Sequence, residues 1–235
     1  MSDYGQFCPV AKATELLGEK WMLLILRELL LGTHRYSEFQ RALSRISPSL
    51  LTKRLKQLEM AGVIVRKAKQ GRKGHEYFLT PAGKELAPIV EHLATWGMRW
   101  AHGQLDEDEL DVEFLMFDIQ RRLQTDRLPD GDTVLCFMFD GLTTFKNWWV
   151  VVRNGEVDLC TENPGNDVDL YIRTTLRNLI EIWKGDIEIK TALRKELVKT
   201  QGNKQLAKTL PDWLGICLYA DVRPGDPAMM NIAAD

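Results

Sequence analysis

A chain of 235 residues that is 45% hydrophobic has ample material for a packed core and for one or two domains. Its net charge of −2 hides a division: residues 1–102 hold 16 Lys and Arg against 9 Asp and Glu, residues 103–235 hold 15 against 24, and only the first part suits a polyanion. The longest apolar run, residues 21–31, is broken by Arg27 and Glu28 and is too short to span a bilayer, no signal peptide is apparent, and Cys8, Cys136, Cys160 and Cys217 lack C-x-x-C or zinc-ligand spacing, so a soluble cytoplasmic chain with no membrane partner is expected.

The first hundred residues read mostly as helix. Pro9 suits a first helical turn, Ala13, Leu16 and Leu17 share a face, and Gly18 ends the segment. A very apolar helix over residues 19–31 follows, stopped by Gly32, and Tyr36, Phe39 and Leu43 repeat at helical spacing. Ser47 can cap the next helix, with Pro48 at its first position, Leu51, Leu55 and Leu58 as its inward stripe and Gly62 at its end. The period then changes. Val63-Ile64-Val65 and Tyr77-Phe78-Leu79 are β-rich runs flanking a loop with Gly71 and Gly74, a hairpin. From Thr80-Pro81 another helix starts, with Leu86, Ile89, Val90, Leu93, Trp96 and Trp100 along one side.

Residues 104–113 are acidic and read as a linker or the solvated start of a helix, without the glycine and spacing of a calcium loop. Val112, Leu115, Ile119 and Leu123 mark an amphipathic helix. Residues 133–139, 148–153, 156–161 and 169–173 read as strands, with Asn154-Gly155 as a tight hairpin signal. Leu176, Leu179, Ile180 and Trp183 form a helix stopped by Gly185. Strands followed by helices indicate an α+β fold, a mainly antiparallel sheet covered by helices.

Contact with double-stranded DNA needs a helix end that fits the major groove and cations for phosphates. With Leu51, Leu55 and Leu58 inward, the helix after Ser47 presents Ser49, Thr52, Lys53 and Lys56. The preceding helix leaves Arg35, Gln40 and Arg41 for the backbone. The hairpin tip carries Lys67, Lys69, Arg72 and Lys73, suited to a narrow minor groove. Each piece alone is commonly a solvated surface; their order is what carries the reading.

The segments FCPVAKATELLGEKWMLLILREL, GTHRYSEFQRAL and ISPSLLTKRLKQLEMAGVIVR resemble the HxlR family of winged helix-turn-helix regulators. The likeness rests on Cys8-Pro9-Val10, Gly18-x-Lys20-Trp21, Arg35-Tyr36, Glu38-Phe39, Ile46-Ser47, Leu51-Thr52, Leu58-Glu59 and Gly62, in order, and then Tyr77-x-Leu79-Thr80. The resemblance implies homodimers on paired half-sites, often repressors and sometimes activators, with the first helix and the helix after the wing making the dimer contact. The stripe from Leu86 to Trp100 agrees with that and equally with packing against a second domain. Cys8 is a candidate redox sensor by resemblance to some members, and a small interface residue by the alternative reading.

Residues 147–214 are similar to the sterol carrier protein fold in the order of hairpin, strand, helix, Gly185, short helix, strand, Gly202-Asn203 and last helix. One departure is Lys195, where the turn before the strand at Leu197 usually has glycine. The likeness implies an apolar tunnel; candidate lining residues are Phe137, Phe139, Trp149, Val151, Leu179, Trp183 and Trp213, which are also ordinary core types. No G-x-S-x-G, Walker or dinucleotide motif is present, so no enzyme, cofactor or metal centre is expected. The expectation is a winged helix-turn-helix DNA-binding and dimerisation domain over 1–105 and a sterol-carrier-like α+β domain over 106–235. Its function is then that of a homodimeric transcription regulator, with a small apolar ligand as effector. The rival is a soluble lipid or small-molecule binding protein whose helix-turn-helix is a dimer or protein contact.

Overall fold

The computed structural model describes residues 4–68, 74–101 and 105–226. The chain divides into two compact units, Met1–Thr95 and Trp96–Asp235, ten residues before the boundary expected from composition. No helix of the described residues is long and apolar enough to cross a membrane.

The first unit begins with α1 (Pro9–Leu17) and α2 (Met22–Leu30). The second helix starts three residues later than its apolar run. Trp21 takes a left-handed φ of 80°, and residues 19–21 form a turn. A bulky residue adopts that conformation only where surrounding contacts over-determine it. Here the Arg54 guanidinium does so, donating to the Lys20 carbonyl at 3.0 Å and to the Glu19 carboxylate at 2.6 Å. Helices α3 (Tyr36–Ala42) and α4 (Pro48–Met60) follow. Met22, Ile25, Leu26, Phe39, Leu51, Leu55 and Leu58 are their buried core.

Strands β1 (Ile64–Ala68) and β2 (His75–Leu79) pair antiparallel, Ile64 opposite Leu79. The stretch before α3 joins them: the Tyr77 amide donates to the His34 carbonyl at 2.9 Å, and Arg35 bridges Glu76. Then come α5 (Pro81–Lys84) and α6 (Ala87–Trp96). Gly83 in α5 lies so close to the Val63 carbonyl that a Cβ would be 2.2 Å from its oxygen.

The second unit begins with a turn of π-helix, Gly97–Ala101, and the acidic segment beyond it forms one 3-10 turn, Glu107–Glu109. Arg177 ties this segment down, donating to the Leu105 carbonyl and to the Glu107 carboxylate at 2.6 Å each. Helix α7 (Val112–Arg122), capped by Asp111, leads into β3 (Thr133–Asp140), β4 (Asn147–Arg153), β5 (Glu156–Cys160) and β6 (Leu170–Thr175). The rest is α8 (Leu176–Lys184), α9 (Ile189–Arg194), β7 (Val198–Gly202), α10 (Lys204–Lys208) and α11 (Leu210–Trp213). The sheet order is β5-β4-β3-β6-β7; only β3 and β6 are parallel.

Leu115, Met116 and Ile119 of α7 and Leu176 and Leu179 of α8 cover one sheet face, sharing a core with Phe137, Phe139, Trp148, Val150 and Ile172. The turn before β7 forms despite Lys195. The chain ends α9 by placing Glu196 at φ 54°, with the Leu197 amide reaching back to the Ala192 carbonyl at 2.9 Å. The left-handed position that glycine fills elsewhere is therefore occupied by glutamate, one residue beyond Lys195.

Candidate nucleic-acid interface and second-domain cavity

Helix α4 is built to show one face. Pro48 occupies its first turn, and the Ser47 hydroxyl accepts from the Leu50 amide at 3.3 Å. Leu51, Arg54, Leu55 and Leu58 are buried, which leaves Ser49, Thr52, Lys53 and Lys56 exposed together with Ser47. Arg54 anchors the helix by three bonds: to Lys20 O, to Glu19 and, at 2.8 Å, to the Gln57 side-chain oxygen. The helix register, and with it the rotation of Ser49 and Lys53 toward solvent, is fixed from behind.

The exposed hydroxyls are not equivalent. Thr52 donates to the Pro48 carbonyl at 2.9 Å, and the Tyr36 hydroxyl donates to the same carbonyl at 2.7 Å while lying 3.2 Å from Thr52 Oγ1. Thr52 is left as an acceptor, whereas Lys53 and Lys56 remain donors on that face. Gln40 and Arg41 are exposed on α3. Arg35 is exposed but held between Glu38 at 3.7 Å and Glu76 at 3.4 Å, so a phosphate must compete with two carboxylates for it.

Lys69, Arg72 and Lys73 lie outside the described residues. The described part of the hairpin has Arg66 and Lys67 exposed, Lys67 with its ammonium 5.1 Å from the Phe78 ring centre. Burial raises the Tyr77 phenol above its usual range, against the lowering effect of Arg66. Arg54 and Tyr36 are the residues that the surface reading missed. For Arg54 the signal was present: it stands three residues after Leu51, on the apolar stripe.

Helix α6 buries none of its ten residues. Ile89 is 46% exposed, Leu93 46% and Trp96 57%, while Leu86 and Val90 are half-buried. At the other end of the unit Phe7 is fully exposed and Val10 72% exposed. Trp100 departs from this stripe: Gly225 lies on its ring, with its amide donating to the Arg99 carbonyl at 2.7 Å. Cys8 is half-buried at the N-cap of α1.

In the second unit the seven candidate lining residues do not gather around one space. Phe137, Phe139, Leu179 and Trp213 are close-packed core, Trp213 with no exposure. The alternation along β4 puts Trp148, Val150 and Val152 on the helix side, so Trp149 and Val151 face away. On that opposite face Trp149 stands beside Cys136 and Cys160 of the flanking strands, and burial pushes the Cys136 thiol up to about 11.

Trp183 is the one member at a cavity, of about 240 Å³, lined also by Leu105, Glu109, Asp111, Phe114 and Lys184. Its indole nitrogen donates to Asp118 at 2.7 Å. Asp118 is 1% exposed and also accepts from Arg121 at 2.8 Å and from Arg122. Among the described residues no cluster of His, Cys, Asp or Glu is arranged to hold a metal ion.

Two family models match the chain, HxlR-like helix-turn-helix over residues 16–105 and the SCP-2 sterol transfer family over residues 124–214. The HTH-type transcriptional regulator YvaP of Bacillus subtilis is 39% identical over 100 residues, which are 42% of this chain and 93% of that protein. The chain belongs to the HxlR-like helix-turn-helix family. A second HxlR-like relative, an HTH-type transcriptional regulator of Methanothermobacter thermautotrophicus, is 34% identical over 110 residues, 46% of this chain and 84% of that one. The structure of the reduced transcriptional regulator YodB of B. subtilis is 30% identical, covering 39% of this chain and 92% of that chain at a TM-score of 0.35. This HxlR-like chain differs from a lone helix-turn-helix in carrying the sterol-transfer domain after it.

Proposed function

We propose that this protein is a sequence-specific DNA-binding regulator that acts as a homodimer on paired half-sites, a repressor whose second domain receives an effector. In this reading residues 1–105 bind DNA and dimerise, and residues 106–235 form the effector domain. The observation that carries it is the face of α4: Ser49, Lys53 and Lys56 exposed on a helix locked from behind by Arg54. Phosphate contacts set affinity and base contacts set specificity. Lys53 near the helix start is assigned to bases, and Lys69, Arg72 and Lys73 of the wing to phosphates. Dimerisation is assigned to α1 and α6, because a helix with three large apolar side chains about half exposed has surface that a second copy would cover.

The test is binding to genomic fragments selected by the protein, against random duplex, across a salt series. Removing the charges of Lys69, Arg72 and Lys73 should weaken binding to every sequence and flatten the salt slope by about one for each phosphate no longer neutralised. Lys53→Ala should instead change preference among sites. Equal loss on selected and random DNA for Lys53→Ala rejects base reading. A Leu93→Glu chain that sediments as an intact dimer rejects the α6 interface.

A further inference from the structure

The cavity beside Trp183 differs in chemistry from an apolar tunnel. Its walls are Leu105, Leu115 and Ile180 with the rings of Phe114 and Trp183, which meet edge to face at 5.8 Å and 81°. Its polar lining is Glu109, Asp111 and Lys184. The Lys184 ammonium lies 3.2 Å from the Asp186 carboxylate, so the cation of the lining already has its counter-ion and the two carboxylates dominate the balance. Each carboxylate also serves its own backbone: Asp111 accepts from the Phe114 amide at 2.9 Å, and Glu109 from the Asp106 amide at 3.0 Å. A carboxylate has about four lone-pair sites, so one such bond leaves acceptor capacity toward the cavity. The neighbouring Glu113 is held above the usual carboxylate range, first by burial and then by the charge of Asp111, as an excess of negative charge requires.

The aromatic wall is fixed rather than incidental. Trp183 is held at its indole nitrogen by Asp118 and at its carbonyl by the Cys217 amide, 2.8 Å away. Asp118 is clamped by Arg121 and Arg122, so the ring cannot swing in to fill the space. Ring faces attract cations, most strongly those of Trp, and carboxylates beside an apolar wall favour a charge-assisted N–H donor. At about 240 Å³ the space is below the ~300–1,000 Å³ of drug-sized sites, so its occupant is small.

We propose that this cavity binds a small organic ammonium compound, its apolar or aromatic body against Phe114 and Trp183 and its nitrogen at the carboxylates of Glu109 and Asp111. An effect of that compound on DNA rests on the effector reading above, whereas the binding itself does not.

The full chain is titrated with 2-phenylethylammonium, with its neutral analogue 2-phenylethanol and with phenylacetate. The readouts are calorimetry and the Trp183 indole N–H resonance, assigned by its loss in Trp183→Phe. The ammonium should bind saturably and shift that resonance, at least tenfold more tightly than the alcohol, with phenylacetate silent. Asp111→Asn, which keeps the helix cap, and Glu109→Gln should each weaken the ammonium roughly threefold to tenfold. Alcohol binding as tight as the ammonium, phenylacetate binding more tightly, or a Trp183 resonance unmoved by all three overturns the proposal. A chain that binds the amine but keeps one DNA affinity with and without it retains the site and rejects effector control. A chain that binds DNA but none of the three ligands rejects the site alone.

Discussion

Each unit buries a charged residue on the apolar stripe of a helix, and the two are used differently. In the first unit Arg54 follows Leu51 by three residues, is 7% exposed and grips a turn: Lys20 O, Glu19 and, on its own helix, Gln57. In the second, Asp118 follows Leu115 by three residues, is 1% exposed and grips side chains: Arg121, Arg122 and the Trp183 indole. The first arrangement sets the rotation of an outward face, that of α4. The second sets a wall, the Trp183 ring at its cavity. The surroundings differ as well: the first unit ends in a helix with no buried residue, while β3 of the second is buried on both faces over most of its length. A buried charge is weak support for stability and strong support for a fixed geometry, which is how both are used here.

The comparison breaks first at Asp118. Asp118→Ala strands two arginines whose side chains are only 16% and 13% exposed, and should cost about 3–5 kcal/mol of stability by denaturant unfolding. It should also shift the emission of Trp183, whose indole loses its acceptor. A loss under about 1 kcal/mol would mean that the arginines relax into water and the wall is not held. Arg54→Ala should cost less, about 2–3 kcal/mol, because Glu19 is 25% exposed and can be solvated. Its diagnostic effect is on site preference as well as affinity, since α4 loses its register. Unchanged preference would reduce Arg54 to packing.

Two smaller effects sharpen the contrast. The far sheet face of the second unit is dry enough to hold the Cys136 thiol up at about 11, so the folded state retains a proton that the unfolded chain loses near 9. Folded stability is therefore lowest in this respect below pH 9, where both states hold the proton, and falls further as pH rises from 9 toward 11, by at most about 1.4 kcal/mol per pH unit. Cys136→Ala should remove that slope, and an alkaline unfolding series identical in the variant would refute the assignment. Last, Glu196→Gly should raise stability by about 1 kcal/mol, because φ 54° suits glycine and the exposed pairing with Lys199 at 3.7 Å is worth little. A decrease would show that the turn before β7 needs its side chain.

Much of the architecture is set by spacing and punctuation alone. The Ser47-Pro48 start and the Leu51-Leu55-Leu58 stripe specify α4 and its outward residues, because cap chemistry and a 3.6-residue period are local properties. Asn154-Gly155 specifies the β4–β5 hairpin for the same reason: both residues take positive φ. The charge division between the two parts is likewise a property of composition. Arg54 and Asp118 were half legible, since a charge at stripe spacing marks a buried position without naming what it meets. Their partners are another matter: Lys20 is 34 residues from Arg54 and Trp183 is 65 from Asp118, and no local rule reaches that far.

Tertiary structure alone decided which tryptophan of Trp148-Trp149 faces the helices, because strand alternation offers both choices and only the cover over the sheet selects one. It moved the candidate ligand site from the sheet–helix layer, filled by Phe137, Phe139 and Trp213, to the space beside Trp183, because apolar content does not distinguish a packed core from a lined cavity. It also bent the chain at Trp21 and at Glu196, two positions where no glycine announces a turn. There, contacts supplied by distant or following segments hold a left-handed backbone that the residue itself disfavours.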